Sequence, residues 1–147
     1  GHSIYFRFFS GKKKLTHQDL KYFTEIDFEH HVALVATIVH DREEEIIGVG
    51  RYVELEEKGT EKVAEVAFVI ADEHQHLGLG TLLFKHLVTI AQKNGISKFV
   101  ADVLLENKKM LEIFEHSGFE LYMTIDHGVI HIVFSIADQE FNRYYVK

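Results

Sequence analysis

The segment between residues 70 and 92 constrains the fold of this chain more than any other part of the sequence. A strand-like run ends at Ile70, a turn containing Gly78 and Gly80 follows, and an amphipathic helix begins directly after it. Such a turn points backbone N–H groups outward, with the positive end of the helix dipole behind them. Because glycine carries no Cβ, a diphosphate can approach these groups closely. The segment therefore predicts a binding site for a diphosphate-bearing ligand.

Two well-known phosphate motifs do not fit this turn. No Gly-Lys-Ser/Thr follows the glycines, so the turn is not a P-loop, and Leu83 stands where a dinucleotide fingerprint has its third glycine. A Gly-x-Gly taken by itself is also typical of an ordinary turn between a strand and a helix. The surrounding sequence must therefore distinguish a diphosphate-binding turn from an ordinary turn between a strand and a helix.

The pattern around the turn predicts an α/β domain of the mixed α+β kind. The N-terminal half is interpreted as strands over residues 4–9, 32–39, 46–55 and 62–71, with a short helix over residues 17–23 that Thr16 caps. Gly48 and Gly50 fall inside the third strand, where glycine indicates a bulge or a close backbone approach. The C-terminal half alternates helices over residues 79–92 and 108–117 with strands over residues 97–104, 119–124 and 129–136. Together they predict a central mixed sheet of about seven strands, antiparallel first and βαβα afterwards, with helices on both faces.

The composition favours one domain over residues 1–147. The formal net charge of -7 argues against a nucleic-acid partner, because phosphate binding needs concentrated positive charge. No apolar run is long enough to span a membrane, and the absence of cysteine favours a cytoplasmic protein without disulfides. The chain begins Gly1-His2-Ser3, which is typical of an excised domain edge, so we expect the natural protein to be longer.

Eleven histidines invite a metal-binding interpretation. His74 and His76 are the most suggestive pair, but no second pair stands at a recognised ligand spacing. We therefore expect no metal site.

Two motifs resemble those of the GNAT superfamily of N-acetyltransferases. Residues 75–80, Gln-His-Leu-Gly-Leu-Gly, resemble the Gln/Arg-x-x-Gly-x-Gly/Ala loop that binds coenzyme A in that superfamily. Glu106-Asn107 through Gly118-Phe119 resembles its second signature, in which an Asn opens a helix beside the pantetheine. Residues 5–9, 23–27 and 33–36 are similar to the catalytic domain of bacterial Pat-type protein lysine acetyltransferases. The resemblance implies transfer of an acetyl group from acetyl-CoA to a primary amine, with a protein lysine as the leading acceptor.

The resemblance also implies cofactor-binding roles for individual residues. The backbone amides of the glycine turn would hold the pyrophosphate, Gln75 would border the turn, and Asn107 would reach the pantetheine or the acyl end. The strand before the turn would splay from its neighbour and pair with the pantetheine, and one of its N–H groups would polarise the thioester carbonyl. The turn residues are His76, Leu77, Gly78, Leu79, Gly80 and Thr81, and the strand residues are Phe68, Val69 and Ile70.

Amine acylation benefits from a base, because a lysine amine with a pKa of about 10.4 is almost entirely protonated at neutral pH. Glu65 is the catalytic candidate, since it stands in an otherwise apolar strand five residues before Ile70. Half burial there would suit a base that acts through one water. Pat-type enzymes carry a catalytic Glu on this strand, which supports the choice. The alternative is a solvent-facing Glu on a strand of alternating polarity.

The chain departs from the family pattern at the expected proton donor. Many GNAT enzymes place a Tyr seven residues after the helix-opening Asn, and this chain has Phe114 there. The coenzyme A thiolate can leave without a proton donor, because the pKa of a thiol is only about 8.5. Tyr122 and His116 are the remaining candidates for an acid.

Three questions stay open at the level of sequence. The acceptor is either a protein lysine or a small amine such as a polyamine or an antibiotic. The domain is either an enzyme or a coenzyme A-binding sensor without catalysis. The oligomeric state is also undetermined, with a homodimer among the alternatives.

Overall fold

The computed structural model describes residues 2–8, 18–25, 28–55, 59–71 and 78–137. Within these ranges the chain forms eight strands and two helices. Their order is β1 (His2–Phe8), β2 (Gln18–Glu25), β3 (Phe28–His40), β4 (Glu43–Glu54), β5 (Val63–Ile70), α1 (Leu79–Lys93), β6 (Lys98–Leu104), α2 (Lys108–Glu115), β7 (Tyr122–Asp126) and β8 (Val129–Ser135). The strands make one sheet in the order β1-β2-β3-β4-β5-β6-β8-β7.

The first half of the sheet is an antiparallel meander from β1 to β5, as the sequence predicts. The helix predicted over residues 17–23 is wrong, because this segment forms β2 between β1 and β3. Leu20, Tyr22 and Thr24 recur at the two-residue period of a strand, and they stand opposite Ala36, Leu34 and Val32 in the register. Pairing on both sides therefore outweighs the local helical pattern. The predicted cap, Thr16, lies outside the described residues.

The second half contains the predicted crossover, in which α1 connects β5 to the parallel strand β6. These two strands share only three register pairs, of which Glu65 opposite Val100 is the last. Beyond that pair β5 continues to Ile70 and β6 to Leu104 without pairing with each other. We call this opening between the two strands the splay.

Both helices pack on one face of the sheet around a cluster of phenylalanine rings. The ring of Phe84 in α1 lies 5.2 Å from that of Phe114 in α2, 5.4 Å from that of Phe68 in β5 and 5.8 Å from that of Phe134 in β8. The ring of Phe114 is also 6.0 Å from that of Phe68, so the two helices cover the same side. The predicted mixed sheet is confirmed, with eight strands rather than seven. The sequence predicted helices on both faces of the sheet, but both described helices lie on one face.

On the other face of β5, β6 and β8 the described side chains are exposed or half-buried, and we call this the open face. Strand β5 shows the division most clearly, since Val66 and Phe68 are buried while Glu65, Ala67 and Val69 are exposed. The predicted close approach at Gly50 is present on the helix face. A Cβ added to Gly50 would lie 2.9 Å from a ring carbon of Phe68 and 3.0 Å from Leu87 Cδ1, so glycine lets α1 pack closely on β4.

Candidate active site

The N-terminal end of α1 presents its first backbone N–H groups, which have no acceptor within the helix itself. Gly78, at the N-cap, adopts the left-handed conformation with φ 74 and ψ 15, which favours glycine because a Cβ would be strained there. Within the described chain no side chain caps this end, and no acidic residue stands in the first turn. The first N–H groups of a helix have no acceptor inside the helix, so those of Leu79, Gly80 and Thr81 are available to an anion.

A cavity of about 380 Å³ lies in front of these donors. Its lining joins the start of α1 to one face of α2 and to the end of β5. The lining residues are Ile70, Gly78, Gly80, Thr81, Asn107, Lys109, Met110, Glu112, Ile113 and His116. Sequence analysis predicted five of these, and the structure brings Ile70, Gly78, Gly80, Thr81 and Asn107 together as expected. Gln75, His76 and Leu77 lie outside the described residues.

Sequence analysis missed the contribution of α2 to this cavity. Lys109, Glu112, Ile113 and His116 recur at helical spacing after Asn107, and this spacing was the signal that they share a face. The cation of Lys109 favours an anionic ligand, while the carboxylate of Glu112 offsets it. The preference of the cavity for an anion therefore depends mainly on the amides of α1.

A second cavity, of about 150 Å³, occupies the splay. Its lining comes from both sides of the sheet, since Val66, Phe68 and Ala101 are buried on the helix face while Ala67 and Asp102 are exposed on the open face. The remaining lining residues are Val103, Leu104, Asn107, Met110 and Phe114. The residues that line this cavity therefore come from both faces of the sheet.

The main chain of β5 shows which residues face the splay. The N–H of Ala71 donates to Ile47 O at 2.9 Å, and Val63 O accepts from the N–H of Leu55 at 2.7 Å, so the odd-numbered residues of β5 direct their main chain toward β4. Because successive residues of a strand point their N–H and C=O groups in opposite directions, Phe68 directs its groups toward β6. Phe68 lies beyond the last β5–β6 pair, so these groups face the splay. Val69 directs its main chain toward β4 instead, and its side chain is 72% exposed.

Asn107 joins the two cavities, because it lines both. It is the N-cap of α2, where its side-chain Oδ1 accepts a hydrogen bond from the N–H of Met110 at 3.2 Å. Its own N–H donates to Leu104 O at 2.9 Å. Together these two bonds hold Asn107 between the N-terminal end of α2 and the splay.

Glu65 stands at the point where the splay begins. It forms the last register pair with Val100 of β6, and it faces Val53 of β4 on its other side. The side chain is exposed on the open face, so the expected half burial is absent. Glu65 borders neither of the two described cavities, and a water would have to link it to a ligand in the splay.

Phe114 confirms that the usual hydroxyl is missing from the splay. Its side chain is buried and lines that cavity without offering a proton. Tyr122 is 65% exposed on β7, and its hydroxyl donates to Glu120 Oε1 at 3.0 Å. This hydrogen bond, together with the charge of Glu120, raises the pKa of Tyr122. His116 lines the larger cavity rather than the splay, so in the described lining neither candidate acid reaches the second cavity.

The described residues contain neither a cluster of metal ligands nor a membrane-spanning helix. No three His, Asp or Glu side chains among the described residues converge as metal ligands would. Neither described helix has the length and apolar character needed to cross a bilayer.

These features define a mixed-sheet domain in which an uncapped helix end lies beside an opening between two parallel strands. The chain belongs to the Acetyltransferase (GNAT) family, whose sequence profile matches residues 2–119.

Named relatives agree with this assignment. The chain is 31% identical to Acetyltransferase PA5475 of Pseudomonas aeruginosa over 115 residues, and 31% identical to Acetyltransferase Pat of Mycolicibacterium smegmatis over 125 residues. The matched parts are 78% and 85% of this chain but only 60% and 36% of the relatives. The chain therefore spans less than two thirds of each of these two proteins.

Solved structures show the same fold. The GNAT domain of S. lividans PAT matches with a TM-score of 0.63 at 33% identity, covering 77% of this chain and 65% of that domain. A Salmonella typhimurium protein solved with its cofactor acetyl-CoA matches with a TM-score of 0.59 over 78% of this chain and 69% of its own. Its identity is 16%, so it supports the fold alone.

Proposed function

We propose that this domain is an acetyl-CoA-dependent N-acetyltransferase whose acceptor is the side-chain amine of a protein lysine. The observation that carries the proposal is the cavity between β5 and β6, whose lining includes residues from both faces of the sheet. An extended thiol ester fits such an opening better than a compact ligand. Its diphosphate would meet the amides of α1, and its thioester would reach the open face.

The described residues suit a ligand with that shape. The helix end supplies N–H donors for the diphosphate, and Phe68 supplies a main-chain N–H and C=O for an extended chain that lies along β5. The N–H of Phe68 is also the donor that would stabilise negative charge on the thioester oxygen. Asn107 is placed between these two contacts.

The open face supplies the path for the acceptor. Ala67 has a small side chain at the edge of the cavity, so an amine can approach the splay from that side. Glu65 lies at the base of the splay and is the carboxylate that we assign to remove a proton from the ammonium group through one water. The thiolate leaves without a donor at Phe114, since a thiol loses its proton at a pKa of about 8.5.

The relatives support lysine as the acceptor over a small amine. The chain is 31% to 33% identical to proteins named Pat, and an acidic protein with a net charge of -7 attracts basic protein segments. Polyamines carry the same positive charge and form the second candidate class.

One experiment tests the activity and separates the alternatives. The purified chain is mixed with acetyl-CoA and, in separate arms, with a lysine-rich peptide, with the same peptide acetylated at every lysine, and with a polyamine. Release of free thiol is recorded, and coenzyme A binding is measured by calorimetry. We expect thiol release with the free peptide and none with the blocked peptide.

The other outcomes have defined meanings. Release only with the polyamine would replace the lysine proposal with small-amine acetylation. Binding without release in any arm would favour a sensor domain. No binding at millimolar coenzyme A would contradict the proposal altogether.

A further inference from the structure

Asp102 is the one ionisable side chain among the described residues that line the splay cavity. It stands on β6, two residues beyond Val100, where the pairing with β5 ends. Apart from the amide of Asn107, the other side chains of this lining are apolar. Glu65, which we assign as the base, borders neither described cavity. Within the described lining, a cation in the splay therefore has Asp102 as its anionic neighbour.

A histidine holds the carboxylate of Asp102 in place. Asp102 and His131 of β8 face each other in the antiparallel register, and His131 Nδ1 lies 2.5 Å from Asp102 Oδ1. An N–H at Nδ1 donates to this oxygen, and a carboxylate has a second oxygen with its own lone pairs. Among the described residues Asp102 has no further hydrogen bond or ion pair, and its side chain is 55% exposed. Oδ2 is therefore available to a ligand.

Two exposed apolar side chains accompany Asp102 on the open face. Leu104 follows it on β6, lines the splay cavity and is 53% exposed. Val69 of β5, two residues beyond the lining residue Ala67, is 72% exposed. The aliphatic stem of a lysine packs on apolar surface, while its ammonium group needs a polar partner. A carboxylate with apolar neighbours suits such a side chain.

We infer that Asp102 binds the ammonium group of the acceptor, and so selects a cationic amine on an aliphatic stem. This inference rests on the proposed acetyltransferase function. His131 holds Oδ1, and Oδ2 accepts a hydrogen bond from the ammonium group. The acceptor is then held in the cavity that Phe68 also lines, where the thioester would lie. Asp102 acts in binding, whereas Glu65 remains the residue that takes the proton through water.

The chain contains a matched control for Asp102. Asp126 Oδ1 lies 2.5 Å from His127 Nδ1 at the turn between β7 and β8, which is the same contact at the same distance. The side chain of Asp126 is 67% exposed and borders neither described cavity. A general effect of losing a surface carboxylate beside a histidine would appear at both positions. A role in binding the acceptor would appear only at Asp102.

The test measures thiol release with two acceptor peptides that differ in charge. One contains a free lysine, and in the other an aminooxy group, which is uncharged at neutral pH, replaces the ammonium group. We expect Asp102→Asn to raise the KM for the lysine peptide about tenfold, because a charged hydrogen bond at a half-exposed site is lost. The KM for the aminooxy peptide and for acetyl-CoA should stay unchanged. Asp126→Asn should behave like the wild type, and Asp102→Glu should still prefer the lysine peptide.

The comparison of peptides separates charge recognition from structural support. If the wild type is active and Asp102→Asn keeps the KM for the lysine peptide within about twofold, the inference is wrong. An equal rise in KM for both peptides would show that Asp102 shapes the site without recognising charge, which also contradicts the inference. If Asp102→Asn does not fold, the wild type and Asp102→Glu still decide, because equal KM values for the two peptides in both proteins would overturn it. An inactive wild type would instead contradict the proposed function.

Discussion

In the proposed reaction, Glu65 acts through its side chain and Phe68 acts through its main-chain N–H. They are three residues apart on β5, yet Glu65 points to the open face while the ring of Phe68 lies in the core. Burial of that ring fixes the direction of the Phe68 N–H, because the strand cannot rotate without exposing the aromatic cluster. The N–H that we propose as the donor to the thioester oxygen is therefore held rigidly, while the carboxylate of Glu65 is exposed to water.

Glu65→Gln tests the assigned base directly. We expect turnover at neutral pH to fall by about a hundredfold with little change in acetyl-CoA affinity, because the substitution removes a proton acceptor and keeps the size of the side chain. Turnover is followed by thiol release, and affinity is measured by calorimetry. The control is Glu61→Gln, which removes another exposed carboxylate whose only described ion pair is with Lys98 at 3.3 Å. Equal turnover in the two variants would remove Glu65 from the mechanism.

At the level of residues, local motifs were the most predictable part of the site. Asn107 was predicted to open a helix and does so, because an N-cap depends on neighbours within one turn of the helix. The exposure of Glu65 was predicted only as the alternative to half burial, since it depends on what lies against that face of the sheet. The contribution of Lys109 was missed for the same reason, because only the packing of α2 beside α1 brings it to the cavity.

Among the elements, α1 and α2 meet so closely that one position requires glycine. A Cβ added to Gly80 would lie 2.3 Å from Ile113 Cδ1 of α2 and 2.8 Å from Ile70 Cδ1 of β5. Gly80 also supplies one of the free N–H groups at the start of α1. The absence of a side chain at Gly80 therefore permits the packing of α1 against α2 and, in the proposed site, the approach of the diphosphate.

We expect Gly80→Ala to weaken both the packing of α1 against α2 and the binding of coenzyme A. We expect a loss of about 1–3 kcal/mol in the free energy of unfolding, because the extra methyl group forces neighbouring side chains to shift. Coenzyme A affinity should also fall, since the start of α1 would move away from α2. The measurements are urea unfolding and calorimetry. Gly59→Ala is the control, because Gly59 has φ +95 but nothing within 4 Å of an added Cβ, so it should lose stability without losing affinity. Unchanged affinity in Gly80→Ala would mean that the helix end does not bind the diphosphate.

Elements with a strong hydrophobic period were predicted well, whereas a strand that is defined mainly by its pairing partners was not. Both described helices begin at the predicted residue, since amphipathic spacing is a local property. Strand β2 was mistaken for a helix because its pairing with β1 and β3 leaves no local mark beyond a weak alternation. The splay itself was implied only by the family resemblance, because no pattern in β5 or β6 indicates that pairing stops after Glu65.

At the scale of the whole molecule, stability should depend on pH through a half-buried histidine in α1. Burial removes water from His86 and lowers its pKa below the ordinary value of 6.5, and the positive charge of Lys85 lowers it further. The unfolded chain then binds more protons than the folded chain below about pH 6.5. This contribution to stability is present above the ordinary pKa and is lost as the pH falls through the lowered pKa.

We therefore expect the free energy of unfolding to fall when the pH is lowered from about 7.5 to about 5.5, and to fall less in His86→Gln. Urea unfolding at several pH values measures both, and the difference between the two proteins isolates His86 from the other histidines. His127→Gln serves as the control, because that side chain is 92% exposed. If the free energies of unfolding of the wild type and of His86→Gln changed equally with pH, burial of this imidazole would make no pH-dependent contribution to stability.

The cavity between β5 and β6 is lined by residues from both faces of the sheet. In the proposed reaction the anionic donor would lie on the helix side and the cationic acceptor would approach from the open face, so the two reactants would not share one entrance. The used donor would then leave without waiting for the acetylated acceptor to dissociate. A large folded protein would present one flexible side chain at the open face while its body stays outside.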